Sequence, residues 1–164
     1  MFAPKRTDHR ALVAVVLCGI LSAVCFLAGA KTAYHLPFQL VGIAALVLAI
    51  ELSARYLFTD LLYALSSPGS GRNDLSVVRV RGKKRQILAC FTLNEAVGIV
   101  PSSVPKKEKE EKFGAVHTAA EFTVDLFASD TYDLFLYFQG KTMRVRLQCD
   151  AAFAKEIENR IPIR

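Results

Sequence analysis

The chain has 164 residues, 52% of them hydrophobic, with a mean hydropathy of +0.30, too apolar for an ordinary soluble domain and with the excess gathered before residue 58. Its net charge of +6 does not point to nucleic acid: Lys5, Arg6, Arg10 and Lys31 lie in the apolar third, and the later basic residues are scattered or mixed with acids, whereas a nucleic-acid binder gathers base on one face. Cys18, Cys25, Cys90 and Cys149 form no C-x-x-C pair, so neither a zinc nor a redox motif is expected, and the pattern fits a reducing compartment.

In chain order, residues 1–10 form a basic tail. Residues 11–30, ALVAVVLCGILSAVCFLAGA, carry no charge. As a helix they span about 30 Å, the thickness of a bilayer's hydrocarbon core. A second run, residues 36–50, reaches spanning length only if the helix continues through Glu51 to residue 54. Arg55 and Tyr56 then fall where a cationic anchor and an aromatic belt are expected. A cleaved signal peptide is the rival reading, because residues 28–30 (AGA) resemble a cleavage site. The apolar run is too long for it, and a second one follows at once.

Lys5, Arg6 and Arg10 precede the first helix, only Lys31 lies between the two, and Arg55 and many bases follow. The positive-inside rule places both ends in the cytoplasm, and two crossings return the chain to its starting side. The expected location is the plasma membrane, as a multi-pass protein. The connection over residues 31–35 permits only an antiparallel hairpin. Ala14, Cys18 and Ser22 on one helix and Gly42, Ala45 and Ala49 on the other make small-residue stripes that let backbones approach. Small residues are also simply common in such helices, which explains the stripes equally well.

After the hairpin the period becomes alternating. Strands are expected over residues 55–65, 75–81, 85–93 and 95–100, with a turn at residues 82–84. Residues 105–114, containing KKEKEEK, read as a solvated loop. A further strand is expected over 116–126, with Val116, Ala120, Phe122, Val124 and Leu126 on one side and His117, Glu121 and Asp125 on the other. Residues 132–138 and 142–148 flank a hairpin turn, with Met143, Val145 and Leu147 inward and Arg144 and Arg146 outward. Cys90, in an apolar run, reads as a small structural hydrophobe. A helix closes the chain: Asp150 is its N-cap, Phe153, Ile157 and Ile161 its apolar stripe, and Pro162 its stop.

The expected fold class is therefore α+β: a transmembrane hairpin over residues 11–54, then a mostly antiparallel β domain over 55–164 with about seven strands and a C-terminal helix. The opening Tyr56-x-x-Thr59-Asp60, the segments DLSVVRVRGKKRQ and FTLNEAVGIVP, and the closing LFLYFQGKTMRVRLQCDAAFAKEIENRIP resemble a class of small uncharacterised bacterial membrane proteins. These carry two N-terminal transmembrane helices and a pleckstrin-homology-like (PH-like) domain. The resemblance implies a fold but no activity, since one fold hosts many functions.

One cluster stands out. Arg79, Arg81, Lys83, Lys84 and Arg85 gather at the first hairpin, where PH domains hold phosphoinositides, so the resemblance implies lipid binding there. Each base near a membrane gains about 1 kcal/mol from anionic lipid. A solvated hairpin tip is the plainer account. His117 and Glu121 share a strand face but sit about 13 Å apart, too far for one metal ion. Residues 66–71 (SSPGSG) lack the Gly-Lys-Ser/Thr ending of a phosphate loop. Asp60, Asp125 and Asp133 are not placed together by any pattern. No cofactor, metal, catalytic group, nucleic acid or small-molecule substrate is expected. The reading is a non-enzymatic membrane-anchored interaction module, its partners the bilayer and a membrane protein or a second copy of itself. The alternative is an accessory or assembly subunit of a transporter or envelope complex acting through its helices.

Overall fold

A computed structural model of the chain describes residues 1–6, 9–32, 35–67 and 72–162. Residues 33 and 34 of the helical connection and residues 68–71 of the expected Ser/Gly turn lie outside the described residues. The chain divides into two units: Arg6–Thr59 with Asp125–Phe127, and Met1–Lys5 with Asp60–Val124 and Ala128–Arg164.

The first unit is a pair of helices, α1 (Arg10–Lys31) and α2 (His35–Leu52), the latter continued by a π-helical turn, Ser53–Leu57. Both are long and apolar enough to cross a membrane. Pro37 falls in the first turn of α2, where its missing N–H interrupts no helical bond. Ala11, Ser22, Cys25 and Gly29 of α1 and Gly42, Ala45 and Ala49 of α2 are buried, while Leu17, Leu27, Leu40 and Ile50 project outward. The packing leaves little room: a Cβ on Gly42 would stand 3.2 Å from the Phe26 ring, and one on Gly29 3.2 Å from the Phe38 Cβ. Ser22 Oγ donates to the Gly42 carbonyl at 2.8 Å, so a polar group in an apolar surrounding has its partner.

Residues 55–57, expected to begin a strand, instead close the helix. Phe58 N donates to Ser53 O at 3.1 Å, a wide turn, and Ser53 Oγ donates back to Ala49 O at 2.7 Å. The Arg6 guanidinium donates to Leu57 O at 2.7 Å and to Thr59 O at 2.8 Å, satisfying carbonyls that a helix end leaves open.

In the second unit the described residues form seven strands in two sheets. β1 (Asp60–Leu65), β2 (Asp74–Arg81) and β3 (Lys84–Thr92) make an antiparallel sheet in that order. β4 (Ala96–Pro101), β5 (Val116–Phe122), β6 (Thr131–Phe138) and β7 (Lys141–Gln148) make the other, ordered β4-β6-β7-β5. β5 runs parallel to β7, the one parallel pair among the described residues. Between the sheets lie Leu61, Tyr63, Leu75, Val77, Leu134, Leu136, Val145 and Leu147, closed by Phe153, Ala154 and Ile157 of the last helix, α4 (Ala151–Glu158). Asp150 caps α4 by accepting from Phe153 N at 2.8 Å.

The highly charged residues 106–113 are not a solvated loop. They form a helix, α3 (Lys106–Phe113), which buries Lys109 and Phe113. The Phe113 ring stacks on Phe135 at 4.4 Å between centroids. Gly98 makes that approach feasible, for a Cβ there would fall 2.7 Å from the Phe113 ring. β5 ends at Phe122, four residues before the expected end, and the chain then turns so that Asp125 is buried rather than outward.

Candidate interaction surface

The two sheets treat their outer faces differently. In the four-stranded sheet, Asp133 stands directly opposite Arg146, so both side chains leave on the same face, away from Leu134 and Val145. α3 covers that face. Asp133, fully buried, accepts from Lys109 Nζ at 2.7 Å, Ser102 Oγ at 2.8 Å and Arg146 Nε at 2.9 Å. Lys109 Nζ also donates to Ser102 O at 2.8 Å. Burial alone would raise the Asp133 carboxyl, but the hydrogen bonds from Arg146, Lys109 and Ser102 outweigh it and hold the group below the usual carboxylate range. Arg146 is raised by the same hydrogen bond. Arg146 is thus not a free outward cation, as alternation alone suggested. A carboxylate whose charge is fully answered is a clamp for α3, not a general acid or base.

The outer face of the three-stranded sheet keeps more of its surface exposed. Its register pairs Asp60 with Val80, Leu62 with Val78, Val78 with Ile87 and Val80 with Arg85. Directly opposed residues share a face, so Leu62, Val78, Val80 and Ile87 form one aliphatic patch on the side away from Leu61 and Tyr63. Leu62, Val78 and Val80 are half-buried and Ile87 is 66% exposed. Arg79, Arg81, Lys83, Lys84 and Arg85 are all exposed and sit at the same end of the sheet, around a turn where Gly82 takes φ +58°. Arg79 and Arg81 lie opposite Gln86 and Lys84, on the opposite face from Arg85. The tip therefore offers bases on both sides.

A register shift next to Val77 and Val78 leaves Leu88 without a Cα partner and turns the rest of β3 over. Phe91 consequently packs on the core, and Cys90, expected as a small structural hydrophobe, is exposed opposite Ser76, its Sγ 3.6 Å from Ser76 Oγ. Cys149 is the buried thiol of the β unit, pushed up to about 12 by burial and by Asp150, and hence inert.

Of the helix-packing residues, Ser22, Gly42, Ala45 and Ala49 are buried in the helical pair, and Ala14 and Cys18 are half-buried at its margin. Cys25 and Gly29 share the seam, three and seven residues on from Ser22, and that helical spacing is the signal that could have found them. His117 and Glu121 are exposed on β5, and Glu121 lies opposite Arg146. Among the described residues no three His, Cys, Asp or Glu side chains could hold a metal ion.

No protein-family model matches this chain, and neither a curated protein nor a solved structure matches it. Function has to be read from the residues themselves. Two apolar helices followed by a β-rich unit are what they establish of the resemblance drawn from the sequence.

Proposed function

We propose that this chain is a non-enzymatic, membrane-anchored interaction module. In this reading α1 and α2 cross the plasma membrane as a hairpin, both termini are cytoplasmic, and the β unit is a PH-like module that meets anionic lipid through its first hairpin. The parallel β5–β7 pair is the feature that departs from the PH plan; the two sheets closed by a C-terminal helix are the features that favour it.

The observation that carries the reading is the register of the first sheet. Only Phe58 and Thr59 separate the last helical turn from β1, and the first residue of β1, Asp60, pairs with Val80. The basic tip therefore lies at the end of the sheet where the chain enters from the helices. A span ending there delivers five bases and an aliphatic patch to the headgroup layer, where charge and apolar surface act together. Two crossings are supported separately. Met1–Lys5, ahead of α1, belongs to the β unit, as does Asp60–Val124 beyond the helices, which favours helices that return the chain to the side it left.

Gly42, Ala45 and Ala49 are taken up by the hairpin's own seam, and no observation favours the accessory-subunit reading over the module. The test is binding of the detergent-purified chain to liposomes containing about one-third anionic lipid, against neutral ones. Replacing Lys83, Lys84 and Arg85 with Gln should weaken binding by about tenfold or more at physiological salt, from roughly 1 kcal/mol per base before screening. Unchanged binding would remove the lipid reading.

A further inference from the structure

The segment ahead of the first helix does more than carry positive charge. Phe2 N donates to Tyr63 O and Tyr63 N donates to Phe2 O, both at 2.7 Å. This reciprocal exchange is the signature of an antiparallel strand pair. Tyr63 lies on β1, whose other edge is occupied by β2, so Phe2 sits on the open edge of the sheet. Its ring stacks on Phe153 of α4 at 4.8 Å and on Tyr63 at 6.2 Å. Farther along, Gln148 Nε2 reaches Lys5 O at 3.4 Å.

The slot that receives this segment is rigid. Tyr63 is fully buried; its hydroxyl donates to Phe122 O at 2.6 Å and accepts from Gln148 N at 3.2 Å. Gln148 Oε1 in turn accepts from Val124 N at 2.9 Å. Phe153 is fixed from the other side by the capped first turn of α4. The occupant is held less firmly than its walls. The pairing is an isolated bridge, Pro4 has no N–H with which to extend it, and Phe2 remains half-buried. Leu61 and Leu65, two residues to either side of Tyr63, present main-chain groups to the same edge, enough for a longer strand.

We propose that the slot between the open edge of β1 and α4 is a peptide groove, which takes an extended segment with an aromatic side chain by strand addition, and that Met1–Lys5 is its resident occupant in cis. Main-chain pairing with Tyr63 supplies affinity, and the Phe153–Tyr63 aromatic pocket supplies the side-chain preference. An outside peptide must displace the resident segment, which lowers its apparent affinity by the fraction of time the groove is open. The inference does not rest on lipid binding and survives its failure.

The test uses the full chain in detergent and a fluorescently labelled peptide of residues 1–6. Phe2→Ala empties the aromatic pocket, so the peptide should bind that variant about tenfold tighter than the unaltered chain. The same peptide with alanine in place of its phenylalanine should not bind. Equal affinity for both proteins, or no binding to the folded variant, would overturn the groove. Should Phe2→Ala fail to fold, a protease site placed at residues 7 and 8 allows the segment to be cut after folding. Exchange of the cut segment for labelled peptide supports the proposal. Its retention without exchange makes it a fixed part of the core and sinks the idea.

Discussion

The two sheets of the β unit are built from similar strands and end in different surroundings. The outer face of the four-stranded sheet is sealed: α3 brings Phe113 onto Phe135 and Lys109 onto Asp133, and Gly98 gives way to let it in. The outer face of the three-stranded sheet keeps Ile87 exposed among half-buried aliphatic neighbours, beside five exposed bases. A buried charge that is answered on every side is architecture. An apolar patch with bases at its rim is the kind of surface that the proposed lipid contact would use.

The sealed face depends most on Asp133. Asp133→Ala should cost about 3–5 kcal/mol, because Lys109 is left buried without its counter-charge. The midpoint of denaturant unfolding in micelles reports it, and adding Lys109→Met should recover a large part of the loss. A single-variant cost below about 1 kcal/mol would show that α3 is held by the Phe113 contact alone.

Acid acts on the same ion cluster. The Asp133 carboxyl is held below its ordinary value, so the unfolded chain binds the proton more readily than the folded one. Its contribution is complete above the ordinary carboxylate value of about 4 and is lost as the pH falls through the lowered one. The unaltered chain should therefore lose stability more steeply than Asp133→Asn in that window. Parallel acid limbs would mean that the ion cluster contributes no linkage.

How much of this was legible in the sequence follows from the same contrast. The apolar helices, the two hairpins and the Phe153 and Ile157 positions of α4 rest on local periodicity and turn residues, and these read directly; Ile161, expected to extend that stripe up to Pro162, lies beyond the helix, which ends at Glu158. α3 did not read, because KKEKEEK has no apolar face; its docking depends on one lysine meeting an aspartate 24 residues later, a long-range fact without a local signal. Arg146 reads only as outward for the same reason, since alternation predicts a face but not what covers it. Cys90 reads as structural in the sequence because the register shift at β3 is invisible in composition. Residues 55–57 are consistent with strand or helix until Arg6, far away in sequence, bonds the Leu57 and Thr59 carbonyls. The basic hairpin was legible as residues. Its position at the entering end of the sheet, which gives it meaning, required the Asp60–Val80 register.

Ile87 carries the smallest effect on stability and the most direct bearing on function. At 66% exposure it contributes little to the core, so Ile87→Asp should change unfolding by no more than about 0.5 kcal/mol. If the bare face meets a bilayer, the same change withdraws apolar area and sets an acid among the bases, and binding to anionic liposomes should fall even though every base remains. Ile87→Phe should preserve it or strengthen it. A drop with Asp and not with Phe would show that the sheet face itself touches lipid. If binding were lost only on removing Lys83, Lys84 and Arg85, the hairpin tip would act as a charge sensor standing off the surface, and the aliphatic patch would face something other than membrane.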